Sequence, residues 1–171
     1  MNRPDWDCYF MSMVYLASAR SIDESTHAGA VIVTPENSIV ATGYNGAVRG
    51  FENPPQTRPE KYFYFEHAER NAIFNAAKRG IALDNCRLYV NFLPCCDCAR
   101  AIVQSGIREV IIHKEGQEAF FQASLNNNHW DDSHTATHEI FNSNVQHFEF
   151  RWWSGTLWQP SGFFKGKEYK L

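Results

Sequence analysis

His67, Glu69, Cys95 and Cys98 are the side chains of this 171-residue chain whose types and spacing could do chemistry. Zinc takes four ligands in a tetrahedron, and a hydrolytic site supplies three of them from protein so that a water can hold the fourth position. One imidazole and two thiols make three. Glu69 stands two residues after the histidine, and a carboxylate beside a metal-polarised water can take its proton and pass it to a leaving group. The pattern is that of a metal-assisted hydrolase, with Zn2+ held by His67, Cys95 and Cys98 and with Glu69 as catalytic acid and base.

Such a site needs two helix starts. Cys95 and Cys98 are three apart, so a helix opening near Pro94 presents both sulfurs from its first turn, where the dipole favours thiolate. Pro94 supports the Cys95 and Cys98 register and leaves Cys96 as a small hydrophobe. His67 and Glu69 are too close in sequence to share a helix face, but both reach one site if a helix begins at about His67. Taken singly, the C-x-x-C segment reads equally as a redox pair or a structural zinc knuckle; the combination with His67 and Glu69 makes the pattern specific.

The elements around these segments follow from periodicity. Trp6, Tyr9, Phe10, Met13, Val14 and Ala17 recur at helical spacing and predict a helix over 6–18. Val- and Ile-rich stretches at 28–34 and 38–43, separated by Pro35-Glu36-Asn37, predict a hairpin. Residues 43–59 are punctuated by Gly and Pro and read as a surface loop. A helix is expected over 69–78 with Gly80 closing it, then a strand at 87–92, a helix at 97–105 ending at Gly106 and a buried strand at 109–113. Strand, helix and strand thus alternate through the metal segment. Residues 116–133 read as mostly irregular, with a helical piece at about 119–125; a helix at 138–142 and a last strand at 145–152 complete the pattern. The length suits one domain over 1–171, a mixed sheet with helices on both faces.

Composition narrows the function classes. With 44% hydrophobic and 20% charged residues the chain has a globular protein's balance, and no apolar run nears the ~18 residues of a membrane span. The first residues lack the basic region and apolar core of a secretory signal, so a cytoplasmic location is expected. Three of the five cysteines cluster at the proposed metal, and Cys8 and Cys86 read as reduced packing residues. A net charge of −3 without a Lys/Arg stripe makes nucleic acid an unfavoured partner. The aromatics crowded at 148–153 and at Trp158 read as a strand and tail packed on the body or on a neighbouring subunit.

The order H-x-E then P-C-x-x-C is the signature of zinc nucleobase deaminases. With Gly29-Ala30-Val31-Ile32-Val33 and Thr42-Gly43-Tyr44-Asn45-Gly46 beside it, the chain resembles the zinc-dependent cytidine/deoxycytidylate deaminase family over residues 28–142, and within it the deoxycytidylate deaminases. The resemblance implies an α/β fold, a three-layer α/β/α sandwich on a five-stranded mixed sheet. It implies hydrolysis of dCMP to dUMP and ammonia by attack at C4, supplying dUMP for thymidylate synthesis. Glu69 would carry protons to N3 and to the amine. It further implies one Zn2+ per chain, a homohexamer, activation by dCTP with Mg2+ and inhibition by dTTP.

Carried over position by position, Asn45, Asn71 and Ala68 become substrate-binding residues, and Gly43, Tyr44, Asn45, Gly46 and Gly50 an effector loop. Relatives often place a tyrosine on the base just after the strand equivalent to 109–113, where this chain continues Lys114-Glu115-Gly116-Gln117; Trp130 is the expected substitute. Some relatives carry a second zinc on a cysteine in the loop after the glycine motif, but residues 50–53 offer none. Arg70 and Lys78 are candidates for the substrate phosphate. Open alternatives are a deaminase of cytidine, guanine or tRNA adenosine, and a structural zinc interaction module with a closed metal.

Overall fold

Gly29–Val33 is buried along its whole length, the mark of a strand covered on both faces, and it is the second strand of a five-stranded sheet. The computed structural model describes residues 3–123, 131–143, 148–158, 161–164 and 167–170. In chain order the elements are α1 (Trp6–Ser18), β1 (Gly29–Val33), β2 (Ile39–Tyr44), β3 (Gly46–Ala47), a 3-10 turn (Glu60–Phe63), β4 (Phe65–Glu66), α2 (Ala68–Ala77), β5 (Arg87–Val90), α3 (Cys96–Gln104), β6 (Glu109–His113), α4 (Lys114–Ala123), α5 (Asp131–Ser143), β7 (Glu149–Trp153), β8 (Ser161–Phe164) and β9 (Lys167–Lys170).

The main sheet runs β2-β1-β5-β6-β7. β1 is antiparallel to β2 and β5, while β5, β6 and β7 are parallel, so the sheet is mixed. Alternation along the strands divides the core into two layers. Ala30, Ile32, Leu88, Val90, Val110 and Ile112 face α2, α3 and α5, whereas Val31, Val33, Tyr89 and Ile111 face Phe10, Met11 and Val14 of α1. Helices therefore cover both faces, and the expected α/β/α arrangement on a mixed five-stranded sheet is found. Among the described residues, no helix is long and apolar enough to cross a membrane.

Three segments differ from the sequence expectation. Residues 114–123 form α4 directly after β6, where only a piece at 119–125 was expected. Gly116 reads as a helix breaker, yet it is a glycine for space: a Cβ there would lie 2.5 Å from the Asn91 carbonyl oxygen and 2.6 Å from the Tyr15 hydroxyl. The helix expected over 138–142 begins seven residues earlier, at Asp131. The Gly/Pro-rich 43–59 stretch is not wholly irregular, because β3 pairs with β4 in a two-stranded ribbon that delivers the chain to His67. Residues 124 and 125 of the expected helical piece, and 145–147 of the expected last strand, lie outside the described residues.

Candidate active site

Two helix N-termini supply the site. His67 is the N-cap of α2, in extended conformation (φ −76°, ψ 156°), and Glu69 lies in the first turn behind it. Cys95 is the N-cap of α3, also extended (φ −70°, ψ 166°), with Cys98 in the first turn. An N-cap residue leaves the helical path, so its side chain can reach the same point as a first-turn side chain. The neighbouring helices fix the cysteine segment. Ser133 Oγ of α5 accepts the Cys96 N–H at 3.0 Å, Thr137 Oγ donates to the Pro94 carbonyl at 2.9 Å, and Gln117 Oε1 of α4 accepts the Leu93 N–H at 2.6 Å.

The donor set fits zinc. His67 Nδ1 lies 3.4 Å from Cys95 Sγ and 3.6 Å from Cys98 Sγ, and the three ligand atoms are all within 4.8 Å of one another. Tetrahedral angles with zinc–sulfur bonds of about 2.3 Å and zinc–nitrogen bonds of about 2.0–2.1 Å call for N···S separations of about 3.6 Å. Among the described residues this is the one such cluster of His, Cys, Asp or Glu.

Electrostatics agree with cation binding. A hydrogen bond from Cys98, assisted by His67, holds the Cys95 thiol down at about 4 in spite of its burial. The same bond, together with burial, pushes Cys98 well above the usual thiol range, so the pair shares a proton that a metal ion can displace. Burial alone would lower the His67 pKa, but the hydrogen bond and charge of Cys95 outweigh it and the net shift is upward. Glu69 is 7% exposed, and burial pushes its carboxyl up against the opposing pull of His67. A buried carboxyl beside the ligand set is placed to exchange protons with a molecule held in the cavity.

These residues open on one cavity. His67, Glu69, Cys95 and Asn45 line it, and Cys98 sits fully buried beside them. The Asn45 side chain is fixed: Oδ1 accepts the Ala28 N–H at 2.8 Å and Nδ2 donates to the Thr26 carbonyl at 2.8 Å. Ala68 is fully buried between the histidine and the glutamate, off the cavity lining. Asn71 is also off the lining, because its amide is spent on the Tyr44 carbonyl at 2.8 Å, tying α2 to the end of β2.

Arg70 is bonded to the wall residue Glu66 at 2.8 Å and lies 3.7 Å from Asp97, outside the lining itself, and Lys78 borders a different cleft with Arg49 and Arg79. Neither of the two expected phosphate ligands is among the residues that line the cavity. Trp130 lies outside the described residues. Of the glycine motif, Gly43 packs under α2, Tyr44 ends β2, Gly46 starts β3, and Gly50 takes a positive φ of 83° in a turn.

Sequence reasoning missed Asp23, Arg58, Lys61, Tyr62, Phe92, Phe120 and His134 on the cavity wall. Phe92 and Phe120 form an aromatic side, with ring centroids 5.1 Å apart. Lys61 is only 2% exposed, and its ammonium is bonded to both Asp23 carboxylate oxygens at 2.9 and 2.8 Å. Nothing in the local sequence distinguishes Lys61 from a solvated surface lysine, and Phe120, inside the helical piece expected at about 119–125, reaches the cavity only through the packing of α4 beside Phe92.

Comparison with known proteins agrees with the geometry. The model of the family described as the cytidine and deoxycytidylate deaminase zinc-binding region matches residues 4–114. The deoxycytidylate deaminase of Mus musculus is 43% identical over 115 residues, 63% of this chain and 64% of the mouse protein. The chain thus spans a little under two thirds of that relative. The ComE operon protein 2 of Bacillus subtilis is 33% identical over 138 residues, covering 73% of this chain and 71% of the relative. The crystal structure of the dCMP deaminase from cyanophage S-TIM5 in apo form superposes with a TM-score of 0.58 at 30% identity, over 71% of this chain and 94% of the phage protein. With the matched region containing His67, Glu69, Cys95 and Cys98, the chain belongs to the cytidine and deoxycytidylate deaminase family.

Proposed function

We propose that this chain hydrolyses dCMP to dUMP and ammonia, with His67, Cys95 and Cys98 holding one Zn2+. The observation that carries the proposal is the convergence of three ligand atoms within 4.8 Å at a cavity whose wall also holds the buried Glu69. The substrate is supported by relatives named deoxycytidylate deaminase at 43% and 42% identity in mouse and human. Bound zinc would supply a Lewis acid that brings the pKa of water toward neutrality.

The remaining work falls to the chain's own groups. The Glu69 carboxylate accepts one proton from the attacking water and delivers it to N3 of cytosine. It then takes the second proton from the hydroxyl added at C4 and passes it to the amine, which leaves as ammonia as the C4–N bond breaks and the C4 carbonyl forms. Asn45 spends its amide hydrogens on Thr26 and Asp23 but keeps a second Oδ1 lone pair, which accepts from a sugar hydroxyl, and Phe92 and Phe120 cover the base. A closed structural zinc would leave a buried carboxylate at the cavity without a task, which favours the hydrolytic reading. Replacing Glu69 with Gln and measuring both zinc content and ammonia release tests this. Full zinc with activity lowered about 100- to 10,000-fold is expected, and an active Glu69→Gln variant would end the mechanism.

We extend the proposal to regulation by dCTP with Mg2+ and by dTTP, to a homohexamer, and to the reducing cytoplasm that thiolate ligands suit. Support comes from the family resemblance and from one connection: Gly46 of the glycine motif pairs with Glu66, the residue before His67.

A further inference from the structure

Among the described residues, the permanently charged side chains of the cavity wall, taken one by one, leave a single cation to meet a substrate phosphate; this inference rests on the proposed function and names the group that selects its substrate. Lys61 is spent. An ammonium has three donors, and those of Lys61 go to Asp23 Oδ1 at 2.9 Å, Asp23 Oδ2 at 2.8 Å and Ser25 Oγ at 2.8 Å. Glu66 is neutralised by Arg70 at 2.8 Å. Glu69 is the buried proton carrier, and the two thiols and the His67 imidazole form the ligand set.

Arg58 remains. It lines the same cavity, is exposed, and among the described residues has no carboxylate within ion-pair distance. Its guanidinium lies 5.9 Å from the ring centroid of Tyr62, another wall residue. Three positions on, the buried Lys61 anchors this segment to Asp23. The arginine is thus an exposed cation on a segment whose next turn is fixed.

We infer that Arg58 binds the 5′-phosphate of the substrate and sets the preference of this site for a nucleoside monophosphate over the nucleoside. A guanidinium presents planar paired donors that match phosphate oxygens bidentately, which a lysine at the same place could not do. The phosphate is the chemical difference between dCMP and deoxycytidine, so a residue that binds it changes the ratio between the two.

The test compares the zinc-loaded wild-type chain with Arg58→Ala and Arg58→Lys on dCMP and deoxycytidine, with calorimetric binding of dUMP and deoxyuridine beside the kinetics. Arg58→Ala is expected to reduce the dCMP-to-deoxycytidine ratio of kcat/KM roughly 10- to 100-fold, mostly through the KM for dCMP. Arg58→Lys should recover part of the ratio, and the dUMP-to-deoxyuridine affinity ratio should fall by a similar factor. Because Arg58 is exposed, zinc content and the unfolding midpoint should stay at wild-type values. An unchanged ratio in both kinetics and binding overturns the assignment while leaving the proposed function standing. A wild-type chain that holds zinc yet releases no ammonia from dCMP overturns the proposed function itself.

Discussion

Gly43 of β2 lies directly beneath Ala68 of α2, where a Cβ would come within 2.1 Å of the Ala68 carbonyl oxygen and 2.5 Å of the Ala72 nitrogen. Ala68 stands between His67 and Glu69, so the helix start that presents the ligand and the proton carrier is seated on a bare strand position. The Asn71 bond to Tyr44 and the Asn75 bond to Thr42, at 2.8 and 2.9 Å, fasten the same helix to the same strand. Gly43→Ala should therefore destabilise the fold by about 1–3 kcal/mol through overpacking. It should also lower the zinc content of the purified protein, as read by denaturant unfolding and metal analysis. Wild-type stability with full zinc would show that α2 can shift without cost.

The zinc site was legible in the sequence because its chemistry depends on cap positions. A proline before Cys95 and the close spacing of His67 and Glu69 both announce a helix start, and both helices begin there. β6 was legible because its residues are buried, and its bounds of 109–113 match. What could not be read depends on distant contacts. Gly116 inside α4 answers to Asn91 and Tyr15, and Lys61 is buried only because Asp23 meets it from another loop. Asn71, assigned to substrate by resemblance, serves the α2–β2 contact, a role only the packed pair makes visible.

Metal and fold should be coupled. Cys98 is fully buried and Cys95 is 9% exposed, so removing zinc leaves two thiols and an imidazole packed together without their cation. One zinc per chain is expected, and chelation should lower the unfolding temperature, with zinc and no other added cation at equal concentration restoring it fully. A stoichiometry near two would reveal a second site.

The Asp23–Lys61 pair should behave as a buried ion pair. Lys61→Met leaves the Asp23 carboxylate buried without its partner and should cost about 3–5 kcal/mol, whereas Asp23→Asn combined with Lys61→Met should cost less than Lys61→Met alone. Urea unfolding of the two variants decides it, and equal losses would place the pair's role elsewhere.

That pair also predicts a pH dependence. Burial raises the Asp23 pKa, but hydrogen bonds from Lys61 and Ser25 outweigh it, so the folded-state value is below the usual one. A carboxyl with a depressed folded pKa contributes stability that is fully present above its unfolded pKa of about 3.9 and is lost as pH falls through the folded value. The stability gap between wild type and the double variant should therefore be constant from about pH 7 to pH 5 and shrink below about pH 4. A gap that grew on acidification would contradict the assignment.

Regulation is testable through the ribbon that joins Gly46 to Glu66. In steady-state assays, dCTP with Mg2+ should lower and dTTP should raise the dCMP concentration giving half-maximal rate, by about 5- to 150-fold for a coupling of roughly 1–3 kcal/mol. Hyperbolic curves that neither triphosphate moves would remove the regulatory reading and leave the catalytic one.

Hydrolysis of dCMP at this site is tested most directly by the initial rate of ammonia release by the zinc-loaded chain offered dCMP, cytidine, guanine and a tRNA anticodon stem-loop containing adenosine, each in parallel with the Glu69→Ala variant. Equal amounts of dUMP and ammonia are expected from dCMP, at a rate well above that with the other three compounds, with near-complete loss in the variant while zinc is retained. Preference for one of the other three, or a rate that survives the loss of Glu69, would contradict this expectation.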